Sequence, residues 1–220
     1  MARALAARLG ATYLDTGLLY RAVTLAALRA GLSPADGEAI ARMTRESQLQ
    51  IVPSKAPGES EQVLVNGEVV TPALRTAEVN RYVSEVSAHQ AVRSALLPIQ
   101  QQMAADGTVV MAGRDITTVV VPDAGVKVFL RASLDERARR RLQENEVLGR
   151  RETFESVRRD IERRDLADSS RAVAPLRTGT DVTIVETDGK SIESVVEEIV
   201  ALARRTWDEQ ATTERPAHDA

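Results

Sequence analysis

Tyr13-Leu14-Asp15-Thr16-Gly17-Leu18-Leu19-Tyr20-Arg21 packs a strand, a turn and the start of a helix into one run. Ala11–Asp15 has the character of a short buried strand, Gly17 supplies a turn, and Leu18–Ala30 takes up helical period before closing at Gly31. Upstream, Ala4, Leu5, Arg8 and Leu9 are spaced as on an amphipathic helix that Gly10 stops. The same alternation continues downstream. Thr108–Met111, Val126–Leu130 and Val182–Val185 read as apolar, β-branched strands, expected to be parallel and covered on both faces. Between them, Ser33-Pro34 reads as a cap and first-turn proline for a helix to about Leu49, and Thr76–Ala105 as helix in two pieces around Ser87–Gln90. Ser133–Glu146 and Thr153–Ala167 read as charged helices flanking Gly149, and Ser191 as the cap of a last helix to about Arg205. This order argues for an α/β fold, a parallel sheet with helices on both faces.

Between Gln50 and Pro72 the pattern changes. Gln50–Val52, Gln62–Val65 and Glu68–Thr71 are short β-type runs, with Asn66-Gly67 as a hairpin signal and Pro53–Ser60 as loop. This patch reads as a small antiparallel insert, about 50–72, in one domain over 1–205; the polar, aperiodic 206–220 is expected to be a disordered tail. Among 220 residues, 43% are apolar and 28% charged, as in ordinary soluble globular proteins. Aromatics at 3% leave little for stacking single-stranded nucleic acid, and a net charge of −3 gives no overall pull on polyanions, so no nucleic-acid partner is expected. Without cysteine there are no disulfides or thiolate metal sites, and His89 and His218 are too few for a histidine zinc cluster. No apolar run approaches the roughly 20 residues that span a bilayer. Arg8 interrupts the N-terminal stretch before a signal-peptide core forms. A cytoplasmic protein with no membrane partner is expected.

Arginine stands beside a carboxylate or hydroxyl in three places: Tyr13–Arg21, Gly113-Arg114-Asp115, and Arg163–Arg171. A guanidinium fork holds phosphate bidentately, while a nearby Asp takes sugar hydroxyls or base amino groups. Converging, the clusters would form a pocket for a nucleoside monophosphate. Asp15-Thr16-Gly17 and Gly113–Asp115 both follow strands, the end at which open α/β sheets hold ligands. Each cluster also has a plain structural reading. Thr16 and Gly17 can be a cap and turn with Arg21 solvated; Arg114 and Asp115 can be a surface ion pair; Arg164 and Asp168 can be an i,i+4 pair on a charged helix. Against these stand the anion preference of a helix N-terminus after Thr16, the apolar stretches on both sides of Arg114, and the abrupt change at Ala172-Val173-Ala174-Pro175-Leu176. Arg137, Arg139, Arg140, Arg141, Arg150 and Arg151 around Gly149 are either a solvated helix pair or a mobile lid, about 133–152, closing over phosphates. Gly189-Lys190-Ser191 reads as a turn into a capped helix, because Ile184 stands where a phosphate loop needs its first glycine. No Gly-x-x-x-x-Gly-Lys-Ser/Thr loop occurs in the sequence.

In this combination and order the clusters closely resemble the bacterial cytidylate kinase family. The resemblance rests on Tyr13–Arg21, on Gly113-Arg114-Asp115-Ile116-Thr117-Thr118-Val119-Val120-Val121-Pro122-Asp123, on Val126-Lys127-Val128-Phe129-Leu130, and on Arg164-Asp165 with Asp168-Ser169-Ser170-Arg171-Ala172-Val173-Ala174-Pro175-Leu176. It spans about Ala2–Arg204 and implies the fold of the P-loop nucleoside monophosphate kinases, with the β-rich insert in the monophosphate-binding part. The implied activity is transfer of the γ-phosphoryl group of ATP to CMP or dCMP, with Mg²⁺ accompanying ATP as co-substrate. Arg21, Arg114 and Arg171 would hold the acceptor phosphate and serve catalysis; Ser84, Arg93 and Asp115 would read the cytosine edge. Arg164 with Asp168 would contact the sugar, Thr16 would lie near sugar and phosphate, and arginines among Arg137–Arg150 would form the lid. A monomer is expected. Family members open with a strand and a Gly-x-x-Gly-x-Gly-Lys-Ser/Thr loop ahead of the helix that resembles Ala2–Leu9. This sequence starts inside that helix, so first strand and phosphate loop are missing from it and its donor-binding residues are unassigned. The natural protein is expected to carry them upstream, and the chain as it stands to bind acceptor better than it catalyses. Two other readings stay open: a non-catalytic nucleotide-binding remnant, and a related kinase with another acceptor.

Overall fold

The structure, a computed structural model, describes residues 1–53, 61–147, 149–169 and 181–213, with the side chains of 164, 167–169 and 210–213 outside that description. Its contacts sort into two compact units, Ala6–Ile116 with Ala2, and Thr117–Ala220 with Met1 and Arg3–Leu5. Helix α1 (Ala2–Leu9) ends at Gly10, whose φ of +64° is the left-handed turn that glycine adopts without strain.

In the first unit β1 (Thr12–Asp15) leads through Thr16 into α2 (Gly17–Arg29), then α3 (Gly37–Glu46). Next come β2 (Leu49–Val52), β3 (Gln62–Val65) and β4 (Glu68–Val69), a 3-10 turn at Thr71–Arg75, α4 (Ala77–Val86), α5 (Gln90–Ala105) and β5 (Val109–Ala112). β1 and β5 are parallel and in register from Thr12↔Val109 to Asp15↔Ala112. The expected insert is present as an antiparallel β2-β3-β4 sheet. Asn66 and Gly67 turn its hairpin with φ of 51° and 82°, the positive pair that a two-residue turn between twisted strands requires. The Asn66 carboxamide oxygen also accepts from the Gln48 N–H at 2.8 Å. The core of this unit gathers around Leu19, Ile40, Val63, Leu74, Val79, Val92 and Leu96. α2 supplies the middle of that core because Leu18, Leu19, Ala22, Val23 and Leu25 all point inward.

The second unit holds a π-helical turn closing at Val120, β6 (Val128–Arg131), α6 (Leu134–Val147), α7 (Phe154–Ser169), β7 (Thr183–Glu186) and α8 (Ile192–Thr213). β6 and β7 are parallel from Val128↔Thr183 to Arg131↔Glu186, with α6 and α7 as their crossover. The α/β class is therefore as the sequence predicts. No described helix is long and apolar enough to cross a membrane.

Several expectations are corrected. α3 is capped by Asp36, whose carboxylate accepts from the Ala39 N–H at 2.9 Å; Ser33 instead closes a turn before it and accepts from Ala35 N. Both residue types cap well, and the folded chain brings the Ala39 N–H to Asp36, while Leu49 is taken by β2. α8 runs to Thr213, past the irregular tail predicted from 206, because extending a formed helix needs no new nucleus. Ile199, Ala203 and Trp207 continue its i,i+4 spacing. In the second unit two strand residues expected to be buried, Leu130 and Ile184, stay 40% and 43% exposed. Among the described residues each parallel pair is two-stranded, so every one of these strands has an edge without a strand partner. Most of the loop predicted at 53–60, and the chain from 214 with His218, lie outside the described residues.

Leu19 is 0% exposed at the centre of the core, so Leu19→Ala is expected to lower stability by about 2–5 kcal/mol in urea unfolding, through lost burial and a residual cavity.

Candidate active site

The polar centre of the first unit lies where β1 and β5 end side by side. Their register puts Asp15 opposite Ala112, so Thr16 meets the start of the Gly113–Asp115 loop. The Thr16 hydroxyl donates to Ala112 O at 3.0 Å, and its N–H donates to the same carbonyl at 3.1 Å. Gly113 is required there: a Cβ on it would stand 2.5 Å from Thr16 Oγ1 and 2.7 Å from Ile116 Cδ1. The Asp15 carboxylate accepts from Gly17 N at 2.9 Å and steers the chain into α2.

Asp115 is buried and forms an ion pair with Arg93, from the first turn of α5; their side chains are 8% and 12% exposed. Arg93 also donates from Nη1 to Ser87 O at 3.0 Å and lies 5.4 Å above the Tyr20 ring. Stacked on an aromatic face and bonded to two oxygens, the guanidinium has a single orientation. Next to Tyr20, Arg21 donates from Nη1 to Leu74 O at 3.0 Å and to Asn80 Oδ1 at 2.7 Å. Asn80 is held in turn by its Nδ2 bond to Arg75 O at 3.0 Å. Ser87 Oγ donates to Ser84 O at 3.1 Å, which links exposed Ser84 to the same network. α2, α4, α5 and the loop after β5 are thus joined by hydrogen bonds around Tyr20, Arg21, Asn80, Ser87, Arg93 and Asp115.

Of the residues singled out from sequence, Arg21, Ser84, Arg93 and Asp115 belong to this network, Thr16 is bonded to Ala112 O at the strand end, and Arg114 is an exposed residue of the Gly113–Asp115 loop. The side chains of Arg164 and Asp168, and all of Arg171, lie outside the described residues. Sequence reading missed Tyr20, Asn80 and Ser87. A signal for two of them was available, since Asn80, Ser84 and Ser87 recur at helical spacing beside the apolar Val79, Val83 and Val86.

In the second unit the arginines of the expected lid are engaged with acids. Arg137 grips Asp165 of α7 through two bonds, 2.9 and 2.7 Å. Arg139 and Arg140 share Glu136, Arg141 pairs with Glu144, and Arg158 of α7 reaches Asp135 at 2.8 Å. Arg140 also donates to Thr187 O at 2.6 Å. Arg150 and Arg151 are exposed. Ser133 immediately precedes α6, and hydrogen bonds from its side chain and then its N–H hold the Asp188 carboxyl below the usual carboxylate range, with Arg140 and Arg139 adding to the effect.

A family model for cytidylate kinase matches residues 1–205. The chain belongs to the cytidylate kinase family. Relatives include the cytidylate kinase of Shouchella clausii, 44% identical over 204 residues, which is 93% of this chain and 89% of that protein. The cytidylate kinase of Mycolicibacterium paratuberculosis is 42% identical over 206 residues, again 93% of this chain and 89% of that protein. That of Carboxydothermus hydrogenoformans is 42% identical over 208 residues, 94% of this chain and 92% of that protein. With cytidylate kinase membership come the P-loop nucleoside monophosphate kinase fold class and the enzyme class, a transferase of phosphoryl groups.

Removing one partner of the Arg93–Asp115 pair strands a buried charge. Arg93→Met is expected to destabilise by about 3–5 kcal/mol in denaturant unfolding, and Arg93→Met with Asp115→Leu by less than Arg93→Met alone. The Asp188 carboxyl, its folded pKa depressed, contributes stability that is present above its unfolded value of about 3.9 and lost as pH falls through the lower folded value. Protection from hydrogen exchange at the start of α6, taken relative to the intrinsic rate at each pH, should fall over that acidic window in the wild type and not in Asp188→Asn.

Proposed function

We propose that the chain is the acceptor-binding and phosphoryl-transferring body of a (d)CMP kinase, taking the γ-phosphoryl group of ATP onto CMP or dCMP. The observation that carries this is the buried Arg93–Asp115 pair at the carboxyl end of β5. Cytosine offers an amino donor at N4 beside acceptors at N3 and O2. A carboxylate accepts from the amine while a guanidinium donates to the acceptors, a complementarity that uracil reverses at position 4. Asp115, Arg93 and Ser84 read that edge. Arg21, Arg114 and Arg171 hold the acceptor phosphate, Thr16 lies near sugar and phosphate, and Arg164 with Asp168 contacts the sugar. Arginines among Arg137–Arg150 act as the lid. Their exchangeable surface ion pairs with Glu136, Glu144 and Asp165 suit groups that change partners when anionic phosphates arrive.

The attacking phosphate oxygen is already anionic, so no protein base is needed. Positioning two phosphates in line and spreading positive charge over the transferring group supply the rate. The donor arrives as Mg²⁺·ATP. Acceptor binding and turnover are separate readouts, because binding needs only the acceptor site while turnover also needs a bound donor.

Calorimetric titration with CMP, dCMP, UMP and AMP tests the acceptor directly, alongside ATP-dependent formation of CDP. CMP and dCMP should bind, with UMP and AMP weaker by about 100-fold, the upper worth of a hydrogen bond to a charged group left unmade with the wrong base. Asp115→Asn should weaken CMP by about 10- to 100-fold, as expected for a hydrogen bond to a charged group. Equal binding of UMP and CMP would refute the assignment. CMP binding without turnover in a longer form carrying a phosphate loop would leave a nucleotide-binding protein that is not a kinase.

A further inference from the structure

His89 precedes α5, and its carbonyl accepts the Arg93 N–H at 3.1 Å, so it starts the helical turn that presents Arg93. Its ring crosses from the α4–α5 connection to the segment ahead of α3, where Nε2 lies 2.8 Å from Pro34 O. A carbonyl oxygen only accepts, which makes this ring nitrogen the donor. The approach is close: a Cβ on Gly37 would stand 2.6 Å from His89 Cγ and 2.8 Å from Nδ1. Gly37 opens α3 with no positive φ, so its backbone does not call for glycine, and alanine is the better helix former. The imidazole is what excludes a side chain there.

The connection braced in this way is the one that feeds the site. Ser87 supplies the carbonyl that accepts Arg93 Nη1, and its hydroxyl ties back to Ser84 O. His89 N donates to Val86 O at 3.3 Å and Ala88 N to Glu85 O at 3.0 Å, both local bonds that close the end of α4 without fixing where the connection lies. The ring bond, by contrast, reaches a distant part of the chain, 55 residues away.

We propose that His89 is a positioning residue for the acceptor base. Its ring, seated over Gly37 and hydrogen-bonded to Pro34, sets the α4–α5 connection so that Ser87 and the first turn of α5 hold Arg93 against Asp115. The ligand in this proposal rests on the acceptor reading above; the brace itself does not.

Glutamine places its amide nitrogen about as far from Cα as histidine places Nε2, whereas asparagine reaches only the Nδ1 position. In CMP titrations His89→Asn and His89→Ala are expected to raise Kd by about three- to tenfold, the worth of one intramolecular hydrogen bond, while His89→Gln stays within about twofold of wild type. Gly37→Ala should raise Kd in the wild type and have no effect in His89→Ala, where the methyl enters vacated space. Unchanged Kd in His89→Asn, failure of glutamine to rescue, or additive Gly37→Ala and His89→Ala effects would each overturn the proposal. Should wild type not bind CMP, the acceptor reading falls alone. The brace is then read from the ¹⁵N-resolved Arg93 guanidinium signal. Proton exchange that is slow in wild type and His89→Gln but fast in His89→Asn upholds it, and identical exchange in all three rejects it.

Discussion

Arg93 and Asp115 exclude water from each other, and most of what surrounds them in the Ala6–Ile116 unit follows from that. Two charges taken out of solvent stay charged only when paired and further hydrogen-bonded. The pair therefore fixes three things at once: the first turn of α5, the loop after β5, and the Ser87 carbonyl that satisfies a second face of the guanidinium. Tyr20 adds an aromatic floor. Thr16 and Gly113 then close the strand ends so tightly that no side chain fits at position 113. With so few aromatics available for stacking, a rigid charge pair is a physically sufficient way to present fixed donors and acceptors to a base edge.

The electrostatics of the Thr117–Ala220 unit are of a different kind. Most of its described arginines pair with carboxylates that remain substantially in water, such as Arg141 with Glu144 and Arg158 with Asp135. Pairs of this sort are worth little each and weaken with salt. That makes partner exchange inexpensive, which is what the proposed closing motion over phosphates asks of them. A buried pair resists rearrangement and a solvated one permits it, so the same two residue types serve opposite ends in the two units.

Much of the fold could be read locally. Asn66-Gly67 announced a hairpin because only residues tolerant of positive φ make that turn, and Gly10 and Gly31 ended helices for the same reason. The break between α4 and α5 fell where the pattern lapsed at Ser87–Gln90. The misreadings share a cause. Ser33 and Asp36 are both good caps, and the choice between them depended on which donor the folded chain presented. Leu130 and Ile184 looked like doubly buried strand residues, yet hydrophobicity does not say whether anything lies over a face.

By itself the sequence determined the α/β class, the insert, the positions of most elements and, through its motifs, the family. Periodicity, turn chemistry and short motifs are written in residues a few positions apart, and such patterns survive being read in one dimension. Tertiary structure alone decided which oxygens Arg21 and Arg93 bind, that Tyr20 lies under Arg93, and that His89 occupies the space a side chain at Gly37 would need. A guanidinium or an imidazole takes whichever partner the chain's return path brings within about 3 Å, and that path is set by packing across many residues, not by any pattern among neighbours.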